Sequence, residues 1–313
     1  MDAIRIQNLR KEFGDVTALD GLDLRVESGT VFGFLGPNGA GKTTTIRILT
    51  GLAWPSSGRT WVMDVEIPAG LEEVTHRIGY LPEEPTFYPW MTAHEFLDHI
   101  GRTFGLSRRE RAARTEELLA LTGLAEAARR RVGGFSHGMR QRLGIAQALV
   151  NRPTLLFLDE PVSALDPAGR RDILELIGGL RGETTVFMST HILADVERVC
   201  DTVGIIARGR MVVTARQDEL LAEYAPPAFE IETGAESAAD LESWARRARG
   251  LPWVADVTLE ERIARIVVHD VERARRELLS MVVESGLVLT RYEVVRPSLE
   301  DVFLRLVEEG GGA

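Results

Sequence analysis

The chain has 313 residues, 44% of them hydrophobic and 27% charged, a globular composition with room for about two domains. Its 37 basic and 47 acidic residues leave a net charge of −10, which disfavours general binding to nucleic acid. The longest run without a charged residue, 28–41, is too short and too glycine-rich for a membrane span, and the single cysteine, Cys200, excludes an internal disulfide framework and a cysteine-cluster metal site.

The first residues, Met1-Asp2-Ala3-Ile4-Arg5, lack the basic and apolar regions of a secretion signal, which points to the cytoplasm. Residues 3–35 read as short strands: Ile4, Ile6 and Leu9 nearly alternate, and Leu22, Leu24 and Val26 alternate strictly. A turn at 27–30 leads into Val31-Phe32-Gly33-Phe34-Leu35, an apolar run of buried-strand type. A glycine-rich stretch follows, then a helical run to about Leu52. Residues 92–150 are rich in Ala, Leu, Glu and Arg at helical spacing, and predict a helical insertion that occupies about 84–150. Three more buried strands are predicted at 155–158, 185–188 and 203–206. Strands that alternate with helices indicate a mostly parallel sheet. Cys200 reads as inert packing.

The character changes at Pro226-Pro227. Beyond it the pattern is strand (229–233), helix (237–249), strand (254–259), strand (263–268), helix (271–285), strand (288–295). That is the βαββαβ order of ferredoxin-like domains. A short helix over 299–307, capped by Ser298, and a frayed Gly310-Gly311-Gly312 end are expected after it. The expected division is therefore 1–220 and 226–313. The Arg clusters at 108–114, 129–131, 246–249 and 273–276 read as solvated helix faces.

The chemistry lies in Gly36-Pro37-Asn38-Gly39-Ala40-Gly41-Lys42-Thr43-Thr44, which fits G-x-x-x-x-G-K-[ST]. Small residues let successive backbone N–H groups converge on phosphate oxygens, and the helix that follows adds its positive N-terminus. Lys42 supplies a compact, mobile charge. The chain holds 35 Arg and only two Lys, Lys11 and Lys42, so a retained Lys points to a chemical need that a planar guanidinium does not meet. Thr43 offers a hydroxyl to Mg²⁺. The strand at 155–158 ends in Asp159-Glu160, and carboxylates at the C-terminal end of a parallel strand face the ligand crevice. Asp159 suits Mg²⁺ and Glu160 suits a general base for an attacking water.

With these motifs the chain, from residue 4 to about 215, resembles the ATP-binding subunit of ABC transporters. The resemblance implies a P-loop NTPase core of α/β class, with an antiparallel β subdomain, the helical insertion and a small C-terminal α+β domain. Phe13 matches the ring that stacks on adenine in that family. Ile78-Gly79-Tyr80-Leu81-Pro82-Glu83 matches the Q-loop, with Glu83 where Gln is usual, so Glu83 is a candidate for both catalysis and Mg²⁺. Three carboxylates near one site repel unless metal or protons intervene. Phe135-Ser136-His137-Gly138-Met139 takes the place of the signature. It keeps Ser136 and Gly138, which in the family meet the γ-phosphate held by the other subunit. His137 and Met139 replace a Gly and the Gln. Ser163-Ala164-Leu165-Asp166 matches the D-loop, which puts Asp166 at the subunit interface, and Ser189-Thr190-His191 matches the H-loop, which assigns His191 to the γ-phosphate.

The resemblance is narrower still to ATPases paired with separate export permeases for drugs, polysaccharides, nodulation factors or ions. It implies ATP and Mg²⁺ as ligands, a second ATPase subunit, a membrane permease as partner and no nucleic acid. It implies a place on the inner face of the cell membrane. Two other readings stay open: a soluble ATPase of this family acting on ribosomes or nucleic acid, and an ATP-sensing module with little turnover. No Asn-Lys-x-Asp sequence occurs, which argues against GTP.

Overall fold

The near-alternation at the N-terminus resolves into two long strands, β1 (Asp2–Phe13) and β2 (Val16–Glu27), paired antiparallel. Ile6 lies opposite Leu24 and Leu9 opposite Leu22, so β1 carries one extra residue between them. Asn8 takes that place with φ +46, and the bulge returns Leu9 to the buried face. The broken period of two in the sequence is this bulge. Two further strands, β4 (Ser57–Val62) and β5 (Val65–Ile67), complete a sheet of order β2-β1-β4-β5. These are not foreseen above. This structure is a computed structural model, and it describes residues 1–163, 165–224, 228–234, 237–295, 299 and 302.

The second sheet holds β3 (Val31–Leu35), β6 (Ile78–Leu81), β7 (Leu155–Asp159), β8 (Thr185–Thr190), β9 (Thr202–Ala207) and β10 (Arg210–Arg216). Its order is β10-β9-β3-β8-β7-β6. Every pair is parallel except β9 with β10. Strands β3, β7 and β8 are buried at every residue, which is why they read as unbroken apolar runs. The Phe187 ring sits 5.4 Å from Phe32, 5.2 Å from Phe34 and 5.9 Å from Phe157. These rings join Ile4, Ile6, Leu22 and Leu24 of the first sheet in one core, with Ile46, Ile48 and Leu49 of α1 (Lys42–Leu49). Burial of each ring contributes on the order of 1.5–3 kcal/mol. Helix α1 stops three residues before the expected Leu52, because the Leu52 N–H turns back to the Arg47 carbonyl at 2.7 Å.

After α2 (Leu71–Thr75) and β6, the insertion contains α3 (Ala93–Thr103), α4 (Arg108–Leu121) and α5 (His137–Ala148). Capping boxes Thr92/Glu95 and Ser107/Glu110 start α3 and α4. Part of the first Arg cluster is structural rather than solvated: Arg111 donates to Asp98 at 2.8 Å, and Arg114 to the Leu149 carbonyl at 2.5 Å. Helices α6 (Pro167–Gly179) and α7 (Leu193–Val199) follow β7 and β8.

The chain divides into two compact units, Met1–Gln217 and Asp218–Ala313, at a point within α8 (Gln217–Tyr224). The second unit runs β11 (Ala228–Thr233), α9 (Ala238–Ala248), β12 (Val254–Glu260), β13 (Ile263–Val268), α10 (Val271–Ser285) and β14 (Leu289–Val295). Its sheet is antiparallel, in the order β12-β13-β11-β14, the ferredoxin-like arrangement that the sequence predicts. Phe229, Ile231, Trp244, Ile266 and Leu278 fill its core. The expected helix over 299–307 and the glycine tail lie outside the described residues, apart from 299 and 302. Among the described residues no helix is long and apolar enough to cross a membrane.

Candidate active site

Four parallel strands end at one edge of the second sheet, and each delivers a predicted site segment. Strand β3 opens into the 36–41 loop, β6 into Pro82-Glu83, β7 into Asp159-Glu160, and β8 into Thr190-His191. This is the edge at which parallel sheets hold ligands. A cavity of about 240 Å³ there is lined by Ala18, Asn38, Gly39, Gly41, Lys42, Thr43, Thr44, Glu83 and Glu160.

The loop needs its small residues. A Cβ on Gly36 would meet the Ile206 carbonyl oxygen at 2.4 Å. Gly41, with φ +110, leaves 2.8 Å to the Ala18 carbonyl oxygen for the same atom. Pro37 and Ala40 shape the loop between them, and the Ala40 N–H closes it onto the Pro37 carbonyl at 3.2 Å. Lys42 is buried and all of its charge is placed. Its Nζ donates to the Gly36 carbonyl at 2.7 Å and to the Pro37 carbonyl at 3.3 Å, and lies 3.5 Å from Glu160 Oε1.

Glu160 is the centre of the cluster. Its carboxylate accepts from His191 Nδ1, which is 3.0 Å from either oxygen, so Nδ1 carries the hydrogen and Nε2 is left as the second ring nitrogen. Its main chain adopts φ +50, and its N–H lies 3.2 Å from both the Ser189 carbonyl and Ser189 Oγ. Asp159 is fully buried at the end of β7. One of its oxygens accepts from Ser189 Oγ, and the other, Oδ2, has no partner. A buried carboxylate oxygen without a partner is costly, and a hard divalent cation is the group that suits it. Thr43, which carries another hard oxygen, lines the cavity, whereas Asp159 is not among the lining residues. Glu83 is exposed and lines the same cavity. Among the described residues no three His, Cys, Asp or Glu side chains gather into a metal-ligand group, so the three carboxylates do not crowd one point.

Other predicted residues stand apart. Phe13 is exposed and does not line the cavity; the Nζ of Lys11, the other lysine, lies 4.7 Å from its ring centre. Ser136 caps α5 by accepting from the Met139 N–H at 3.3 Å, and Asp166 caps α6 by accepting from the Gly169 N–H at 2.8 Å. Neither Ser136, Gly138 nor Asp166 lines the cavity. Ala164 of the D-loop lies outside the described residues. Cys200 is buried, and burial pushes its thiol far up, in accord with inert packing.

The sequence reading gave no individual role to Ser189 or Gln141. Ser189 lies in the segment that matches the H-loop and Gln141 two residues beyond the signature segment, but each bonds the Glu160 main chain, which residue type alone does not announce. Gln141 is fully buried on α5 and donates from Nε2 to the Glu160 carbonyl at 3.3 Å.

A family profile described as ABC transporter matches residues 19–163. A second, described as ATP-binding protein DrrA1-3-like, C-terminal domain, matches residues 217–307. An ABC transporter ATP-binding protein of Bacillus subtilis (strain 168), YxlF, is 39% identical over 305 residues, 97% of this chain and 99% of the relative. This chain belongs to the ABC transporter ATP-binding proteins. A daunorubicin resistance ATP-binding protein, DrrA3 of Streptomyces coeruleorubidus, is 35% identical over 309 residues, 97% of this chain and 95% of its own. Among solved structures, an ATP binding subunit of an ABC transporter superposes with a TM-score of 0.65 at 30% identity, covering 71% of this chain and 93% of that one. A dimeric bacterial ABC transporter cassette, MJ0796, gives 0.63 at 25% identity, covering 68% and 98%. As an ABC ATPase, this protein carries a glycine-rich loop with a buried lysine, and a pair of acidic residues at the end of β7.

Proposed function

We propose that this ABC ATPase powers export through a separate membrane permease, working as a pair of ATPase subunits held on the inner face of the membrane. The observation that carries the catalytic part is the Lys42–Glu160–His191 cluster beside the phosphate-loop cavity. The export part is supported by the kinship to a daunorubicin resistance ATP-binding protein along nearly the whole chain, C-terminal domain included.

ATP is the substrate. Its phosphates replace the Gly36 and Pro37 carbonyls as partners of Lys42, and the N–H groups of residues 38–44 hold the same oxygens. Water attacks the γ-phosphorus, Glu160 takes the water's proton, and the bond from the γ-phosphorus to the bridging oxygen breaks, which yields ADP and phosphate. His191 donates from Nδ1 to the Glu160 carboxylate, and in the doubly protonated ring the Nε2 hydrogen would donate to the γ-phosphate. Thr43 and Asp159 would hold Mg²⁺, with Glu83 beside them; the ion supplies neutralising charge to the phosphates. Phe13 stacks on adenine. Ser136, Gly138 and Asp166, which stand away from the cavity, serve the nucleotide and interface of the second subunit. Residues 1–220 form the ATPase domain with its insertion at about 84–150, and 226–313 form an accessory domain.

The test is to tag the chain, solubilise membranes of its source cells in mild detergent and identify what co-purifies. A multi-span protein in stoichiometric amount, with ATP turnover by the complex, supports the proposal. Ribosomal or only soluble partners would overturn the export reading.

A further inference from the structure

We propose that Gln141 is a positioning residue for Glu160: it fixes the main-chain turn that aims the carboxylate, and so ties helix α5 of a chain to that chain's own general base. The inference rests on the reading of Glu160 as the base. Its own evidence lies in how the Glu160 main chain is held.

A residue with a Cβ adopts φ +50 only when its neighbours impose it. On one side the Glu160 N–H is fixed by Ser189, at the end of β8. On the other side the Glu160 carbonyl accepts from Ser163 Oγ at 3.1 Å, from Ser163 N–H at 3.4 Å and from Gln141 Nε2 at 3.3 Å. Ser163 belongs to the same loop and travels with it. Gln141 is 19 residues away on another element, so it is the donor that anchors this carbonyl to a separate body. With the N–H and C=O both pinned, the Cα–Cβ vector has one direction, and the carboxylate stays against Lys42 and His191.

The second observation concerns the other half of the amide. Gln141 is fully buried, and its Oε1 has no partner. An apolar side chain of like size would remove that unsatisfied acceptor, so the amide is costly for stability and its use lies in the Nε2–H. Flipping the amide would set Oε1 against the Glu160 carbonyl and lose the bond. Gln141 lies five residues after Ser136, roughly 7.5 Å along α5. A shift of α5 when its exposed end engages a partner is therefore felt at Glu160 through a single hydrogen bond.

The experiment compares Gln141→Met and Gln141→Leu with the wild type in the full chain, in steady-state ATPase, equilibrium ATP binding and thermal melting, and repeats Gln141→Met in the Glu160→Gln background. The expected result is an unchanged or higher Tm, an ATP Kd within about twofold and a kcat lower by about 10–100-fold, the scale of a small misplacement of a catalytic group. In the Glu160→Gln background the same change lowers kcat by less than about twofold, because the group it positions is already disabled. Wild-type kcat in both single variants overturns the proposal. So does an equal fold-loss in the two backgrounds, and so does a loss of kcat accompanied by loss of Tm and of ATP affinity. A wild-type chain without ATP turnover removes the reading on which the inference rests, and the inference falls with it.

Discussion

Lys42 shows how far a single residue constrains the site. Its ammonium bonds two loop carbonyls and lies beside Glu160, all in a buried setting. Such a pair is tolerable only when each remaining proton and lone pair has a partner. A guanidinium has its donors in a rigid plane and needs more room. Lys42→Arg is therefore expected to weaken ATP binding by about 10–100-fold, the worth of a charged hydrogen bond or so, in an equilibrium nucleotide-binding assay. Glu160→Gln has a different signature. The amide keeps the shape but cannot take a proton, so kcat falls by about 10²–10⁴-fold while ATP still binds. Near-normal turnover in that variant would remove Glu160 from the base role. At this scale the sequence was most legible where chemistry dictates the residue type. No side chain fits at Gly36, and in the proposed mechanism only an acid can serve at Asp159 or Glu160. Ser189 and Gln141 were not legible because each holds the Glu160 main chain, which many polar residues can do, and Ser189 adds a hydrogen bond to Asp159. The left-handed turn at Glu160 has no signature at all, since glutamate is not a residue type that favours positive φ.

At the scale of elements, legibility followed burial. Strands β3, β7 and β8 announced themselves because both faces are covered. Strands β4 and β5 did not, because Ser57, Gly58 and Arg59 are exposed and break the pattern. The join between α6 and α7 was hidden too. Arg170 donates to Asp195 at 2.6 Å, and Asp195 is buried with Oδ2 unpartnered. Burial raises the Asp195 pKa above 3.8 despite the Arg170 hydrogen bond and charge. The native state thus holds the proton more tightly than the unfolded chain. Stability from this group is greatest at low pH and falls as pH rises from 3.8 through the raised value. The two partners are then unequal. Arg170→Ala leaves a buried carboxylate unpaired and is expected to cost about 3–5 kcal/mol at neutral pH, with the loss shrinking as the medium is acidified. Asp195→Asn leaves only a half-exposed guanidinium, which water can reach, and costs less than about 2 kcal/mol. Urea titrations of both variants at two pH values measure this; equal losses with no pH dependence would contradict it.

At the scale of the molecule, a period-two pattern and a βα alternation were enough to announce a mostly parallel sheet and the ferredoxin-like order of the second unit, but not β4, β5, β6 or β10. They were not enough to show where the signature lies, because distance between loops is a property of the assembled sheet. Ser136 caps a helix outside the cavity, while Lys42 and Glu160 wall the cavity itself. On the proposed reading, one chain carries two half-sites, and a symmetric head-to-tail pair is the arrangement that would join them. A complementation experiment decides this. Lys42→Ala removes the phosphate half and Ser136→Arg blocks the signature half, and each variant alone is expected to be inactive. In a mixed pair isolated with two different tags, one of the two composite sites combines the good phosphate loop of one chain with the good signature of the other. The mixed pair should turn over ATP at about half the wild-type rate, because one site of two is whole. Had each chain built its site from its own signature, every site in the mixed pair would carry one defect, and the pair would be as inactive as its parents.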